Sequence, residues 1–108
     1  MRKLFIVLTS AAVVLFVLHG HAAPASKATP GEQAFEQNCA VCHKDGGNII
    51  NPAKTLQKKD LEANGITKTS DVIAKMRNPG PGMTKFDRKT VPDKTARAIA
   101  DYVLKTFK

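Results

Sequence analysis

The two cysteines of the chain, Cys39 and Cys42, stand three positions apart, and a histidine follows the second at once: Cys39-Ala40-Val41-Cys42-His43. Thiols at this spacing can each form a thioether to one vinyl group of a haem, and the adjoining imidazole then reaches the iron as its proximal ligand. The run therefore reads as the attachment signature of a covalently bound c-type haem. Other uses of paired cysteines need parts that are missing here. A zinc site takes four ligands, usually in two separated pairs, and there is no second pair. A thioredoxin-like redox pair sits in a βαβ setting, and no segment of this sequence shows the alternation of a strand. A disulfide would close one short loop, contribute little, and leave His43 without a purpose.

The compartment agrees with that chemistry. Met1-Arg2-Lys3 is a short positive start, Leu4 to Leu18 is an apolar run, and small residues follow at Gly20-His21-Ala22 and Ala23-Pro24-Ala25. This is the layout of a secretory signal peptide, and the run is short for a membrane span. Cleavage after Ala22 or after Ala25 satisfies a small-x-small rule; the competing reading is an uncleaved N-terminal anchor. No cysteine lies at the cleavage region, which speaks against a lipid-modified terminus. Thioether attachment of haem takes place on the exported side of the bacterial membrane, so leader and motif support each other and predict a periplasmic protein. The expected organisation is residues 1–22 as signal peptide, 23–28 as a flexible lead-in and 29–108 as one domain.

A haem iron held by His43 has a sixth position, and the residues narrow what can fill it. His19 and His21 leave with the leader, so His43 is the one histidine of the mature chain, and Met1 is lost too. Two methionines remain. Met76 falls at a core-facing position of a predicted helix, where methionine is ordinarily packing material. Met83 ends Asn78-Pro79-Gly80-Pro81-Gly82-Met83, a run that cannot be helical: its prolines fix φ, and its glycines let backbone pass close to a large flat ligand. Met83 is thus the candidate distal ligand, with Met76, or a plain surface role for Met83, as the alternatives.

The elements that must position these groups are helical. Thr29-Pro30-Gly31-Glu32 reads as a helix start, with Thr29 as N-cap, Pro30 at the first helical position and Glu32 closing a capping box. This helix carries Ala34, Phe35 and Asn38 into the cysteines. Residues 44–55 read as a loop, marked by Asp45-Gly46-Gly47-Asn48 and Asn51-Pro52. A short helix is expected over Leu56 to Ala63, stopped by Asn64-Gly65. A third is expected from Thr69 to Arg77, with Val72, Ile73 and Met76 at helical spacing and Pro79 ending it. The last runs from Pro92 to Phe107, where Ala96, Ile99, Ala100, Val103 and Phe107 form one apolar stripe beside Tyr102. The fold class is all-α.

The combination resembles cytochrome c6 and its monohaem bacterial relatives, a branch of the class I c-type cytochromes. Gly31, Phe35, Asn38, Cys39, Ala40, Cys42 and His43 match that family's first helix and haem segment. Pro52, Lys54, Thr55 and Leu56 match its Pro-x-Lys-Thr-Leu step. Asn78, Gly80, Met83 and Phe86 fall where it has its Asn-Gly run, axial methionine and a following aromatic residue, and Tyr102-Val103 completes the pattern. The likeness covers essentially all of residues 30–107. It implies a small class I cytochrome c fold, with three to four helices around one covalent haem, and a crossing of the first and last helices at Phe35 and Tyr102 with Gly31 permitting close approach. The chain departs from photosynthetic members in several ways. Ile73-Ala74-Lys75-Met76 lacks their glutamine, Thr84 replaces the proline after the methionine, and Pro79 and Pro81 have entered the loop. In this it is more similar to c6-like cytochromes of metal-reducing bacteria.

A haem with His43 and Met83 on its two faces has no open position for substrate, which describes an electron carrier rather than an enzyme. The other class is a haem enzyme or small-ligand sensor in which Met83 is labile. Net charge is +8 for the whole sequence. The leader holds Arg2 and Lys3 and no acidic residue, so the remainder stays basic and suits acidic redox partners, such as other cytochromes or membrane electron-transfer complexes. With no tryptophan and one tyrosine, stacking on nucleic acid is a poor explanation of the charge. A chain this short buries little core unaided, and its helices are individually marginal. Replacing Cys39 and Cys42 together by Ser is therefore expected to abolish accumulation of folded protein; a cooperatively unfolding, haem-free form by circular dichroism would contradict this.

Overall fold

Thr29 starts the first helix through the reciprocal cap expected of it. Its hydroxyl accepts from the Glu32 amide at 3.2 Å, and the Glu32 carboxylate accepts from the Thr29 amide at 3.4 Å. Pro30 at the first helical position loses no bond by lacking an N–H. In the computed structural model, which describes Gly20 and residues 27–108, the elements are α1 (Pro30–Asn38), α2 (Ala40–His43), a 3₁₀ turn (Lys44–Gly46), α3 (Lys58–Ala63), α4 (Thr69–Arg77) and α5 (Asp93–Thr106). No strand occurs among the described residues, in keeping with an all-α fold. The signal peptide expected over 1–22, Gly20 apart, and most of the lead-in over 23–28 lie outside the described residues.

The core is built where α1 and α4 pack on α5. The stripe read from the last helix is the buried face of α5: Ala96, Ile99, Ala100 and Val103 are all buried, and Phe107 packs against them at its end. Gly31 is buried at the α1–α5 crossing, and a Cβ there would overlap the Ala98 carbonyl and come within 3.1 Å of the Tyr102 Cβ. Glycine thus sets how close the two helices come. Just beyond it, Phe35, Tyr102 and Phe107 form a cluster with ring centroids 5.2 to 5.9 Å apart, within the range of favourable tilted and edge-on pairs. Thr69 closes the other side, its hydroxyl donating to Asp101 on α5 at 2.8 Å.

Two boundaries differ from the sequence expectation. The short helix starts at Lys58 rather than Leu56, because Thr55 folds its own turn: its hydroxyl donates to the Asp60 carboxylate and accepts from the Gln57 amide, leaving Gln57 extended. The Leu56 amide is instead spent on the Gly46 carbonyl at 2.7 Å. The last helix spans Asp93–Thr106 with Pro92 as its cap and Phe107 extended beyond it. The Phe107 carbonyl accepts from the Lys58 amide, which ties the C-terminal end to α3.

Because Phe35 and Tyr102 touch across the crossing, they should couple. A double-mutant cycle with Phe35→Leu and Tyr102→Leu is expected to give an interaction of about 0.5 kcal/mol or more in unfolding free energy. Strict additivity would mean the two rings fill core independently.

Candidate functional site

The end of α1 delivers the cysteine motif. The Cys39 amide caps α1 on the Phe35 carbonyl at 2.8 Å, and the His43 amide then bonds the Cys39 carbonyl at 2.9 Å, so α2 is a single turn of helix set off from α1 by Cys39. Within that turn both thiols are half-buried and unpaired with each other. Burial pushes the Cys39 thiol up to about 11. A thiol held protonated in this way is the opposite of the low-pKa thiolate that a redox-exchanging pair requires.

His43 is oriented by the turn that follows it. Asp45 and Gly46 adopt positive φ (53° and 77°), reversing the chain so that the Gly47 carbonyl lies 2.7 Å from His43 Nδ1. A carbonyl can only accept, so Nδ1 carries the proton and the Nε2 lone pair is left for another partner. This is the arrangement that fixes the tautomer of a metal-binding imidazole. Gly46 is seated under the Phe107 ring, where a Cβ would fall 2.5 Å from Cδ1, so the aromatic cluster at the helix crossing also fixes the turn behind His43. Asn48 holds the next stretch. Its Oδ1 accepts from the Ile50 and Asn51 amides, and its Nδ2 donates to the Lys54 carbonyl.

Cys39, Cys42 and His43 line a cleft. Gly80, Pro81, Gly82 and Met83 line it too, and its floor is apolar: Phe35, Leu61, Val72, Met76, Ile99 and Val103. Gly82 has φ 88°, and a Cβ on it would meet Ile50 Cγ2 at 2.8 Å, so the methionine loop passes close over the 48–54 loop. All four residues singled out in the sequence therefore border one space. The competing methionine, Met76, is 5 % exposed and packed in the core of α4, whereas Met83 is 36 % exposed. Of the basic residues that the sequence sets near the motif and the methionine, Lys75 lines the cleft, while Lys44, Lys85 and Lys89 are exposed; Lys54 lines it as well.

Sequence reasoning did not reach Arg77. Its guanidinium donates to the Phe86 carbonyl at 3.0 Å, the Val91 carbonyl at 2.8 Å and the Asp93 carboxylate at 2.9 Å. Those partners lie 9 to 16 residues away, and no local pattern announces such a contact. Asn48 was visible only as part of a turn signal.

The residues suit a covalently held haem: two free thiols, an imidazole with a bare nitrogen and a thioether border one cleft with an apolar floor. This fold and this cleft define a small class I c-type cytochrome. A family model described as "Cytochrome C oxidase, cbb3-type, subunit III" matches residues 26–103. Cytochrome c6 of Cyanidium caldarium is 34% identical over 104 residues, covering 96% of this chain and 94% of that protein. Among solved structures, OmcF, outer membrane cytochrome F of Geobacter sulfurreducens, is 45% identical, covers 72% of this chain and 99% of its own, and superposes with a TM-score of 0.71. Cytochrome c6C of Synechococcus sp. PCC 7002 is 29% identical, covering 73% of this chain and 95% of its own, at 0.69. The chain belongs to the cytochrome c6 family. It carries one covalent haem c and moves single electrons between redox partners, and it is not an enzyme.

Proposed function

We propose that Cys39 and Cys42 hold the haem by thioethers, that His43 is the proximal iron ligand through Nε2, and that Met83 is the distal ligand. The observation that supports this reading is the His43 Nδ1 to Gly47 carbonyl bond, which leaves Nε2 as the free nitrogen of an imidazole that lines the same cleft as Met83. Haem iron supplies a one-electron couple, and a methionine ligand raises its potential relative to a second histidine. The chain's own contribution is to keep the cleft apolar, to fix the imidazole, and to hold the thioether in a loop that cannot coil into helix. Residues 1–22 direct export, and the mature protein, spanning the domain from residue 29, works in the periplasm. This accords with the positive start, apolar run and small residues at the leader's end. Among the described residues no helix is long and apolar enough to cross a membrane.

The distal assignment is tested by spectrum and potential together. Met83→His is expected to remove the weak long-wavelength sulfur-to-iron band of the ferric protein and lower its midpoint potential, while Met76→Leu keeps the band and costs about 1 kcal/mol of stability as a near-isosteric core change. The reverse pattern would make Met76 the ligand. A wild-type ferric protein without the band would instead favour an open, ligand-binding iron.

Electrons leave, on this reading, at the rim of the cleft bearing Met83. Lys75 and Lys54 stand at that cleft with Lys85 two residues from Met83 in sequence, and they steer an acidic redox protein, such as another cytochrome, onto a small transient interface. Lys58 lies apart, lining a hollow with Leu104 and Phe107 and pairing with Glu62 at 3.8 Å. Electron-transfer rates with an acidic partner should fall as salt rises, because the Debye length shrinks from about 30 Å at 0.01 M to about 10 Å at 0.1 M. Stopped-flow rates should drop more for Lys85→Glu than for Lys58→Glu. Equal losses would leave only a general charge effect.

A further inference from the structure

The segment that carries Met83 has few hydrogen bonds to the helical framework, and two of them come from one side chain. From Asn78 to Pro92 the chain is irregular. The Met83 amide bonds only within its own turn, to the Gly80 carbonyl at 3.4 Å. Past Met83, the first tie to a helix is the Phe86 amide on the Met76 carbonyl at 2.9 Å. Two more come from Arg77, the last residue of α4, and one runs from Arg88 within the segment to Asp93 of α5. Arg77 Nη1 bonds the carbonyls of Phe86 and Val91, and its Nη2 bonds the carboxylate of Asp93 at the start of α5.

Arg77 does this from a sheltered position. Its side chain is 16 % exposed, and its Nε is buried without a partner among the described residues. A guanidinium left with an unsatisfied N–H gives up free energy, and an arginine at a helix C-terminus could turn to water and the last carbonyls instead. The fork is held inward because its geometry spans two carbonyls and a carboxylate at once, which a lysine's single ammonium cannot match. Asp93 is itself braced: its second oxygen accepts from Arg88 Nε at 3.1 Å. The two arginines, Arg88 foremost, keep its carboxyl below the usual carboxylate range, so it stays an anion for Arg77 to meet.

We propose that Arg77 is the positioning residue for the distal ligand: by clamping Phe86, Val91 and Asp93 it holds the Met83 loop over the cleft and keeps outside ligands from the iron. The proposal rests on Met83 as the distal ligand. An outside ligand binds only the fraction of molecules whose loop has swung away, so its apparent affinity reports how firmly the loop is held. The experiment is an imidazole titration of the ferric holoprotein, followed by absorption, alongside its thermal unfolding midpoint. Arg77→Met keeps the apolar stem and removes the fork; it is expected to raise apparent imidazole affinity about tenfold or more, and Asp93→Ala about threefold. An Arg77→Met protein that unfolds earlier yet binds imidazole within about twofold of wild type would make Arg77 ordinary packing and overturn the clamp. If Arg77→Met yields no holoprotein, Asp93→Ala decides, and an unchanged imidazole affinity overturns the clamp. Met83→Ala separates the two layers. If it binds imidazole more tightly than wild type while the clamp variants do not, the clamp alone is wrong. If it binds no more tightly than wild type, the ligation reading falls and takes the clamp with it.

Discussion

The close crossing of α1 and α5 at Gly31 is the constraint from which the position of the haem motif follows. With no side chain at Gly31, the backbone of α1 lies against the Ala98 carbonyl. That contact seats Phe35 on Tyr102 and Phe107, and the Phe35 carbonyl in turn caps α1 at Cys39. The motif begins at that cap. The same ring cluster continues to the far side of the motif, since Phe107 covers Gly46 in the turn that presents the Gly47 carbonyl to His43. One aromatic cluster thus braces the motif at both ends, and the imidazole direction is a consequence of helix packing some distance from the ring itself.

The Met83 border of the cleft is held by different means. Met83 cannot sit on a helix, since Pro79 and Pro81 withhold amide donors and Gly82 takes a positive φ. A segment with few backbone bonds of its own opens easily unless side chains fasten it. Here the fasteners are charge-assisted bonds to carbonyls, which are stronger than neutral ones, together with the buried Val91 and the half-buried Phe86. The two borders therefore differ in kind, one set by apolar helix packing and the other by a polar clamp.

The parts that the sequence made readable are those governed by local rules. Thr29 and Glu32 form their capping box, α4 runs from Thr69 to Arg77 as its spacing and Pro79 predict, and the α5 stripe is buried as its period requires. The cysteine motif was plain because its chemistry needs the residues adjacent in the chain. What stayed hidden depends on tertiary contact. Thr55 delays α3 by two residues because its hydroxyl meets Asp60 and the Gln57 amide. Arg77 looked like any basic residue in the last turn of a helix, since its partners at Phe86, Val91 and Asp93 come near only once α4 and α5 have packed. Phe107 read as the end of a stripe, yet its ring also covers Gly46.

The apolar interior itself ties folding to the cofactor. Ten hydrophobic residues are buried among the described part of the chain, and six of them, Phe35, Leu61, Val72, Met76, Ile99 and Val103, also line the cleft. Most of the core therefore borders the cleft, and of the ten only Ala34, Val91, Ala96 and Ala100 are buried away from it. Three of those four are alanine, which buries little area. A chain so arranged draws its hydrophobic stabilisation largely from burial against a large flat apolar group. The same burial would keep water from a haem iron held there by His43. Fold stability and electron-carrier function thus rest on one set of contacts, which is why so few residues suffice for both.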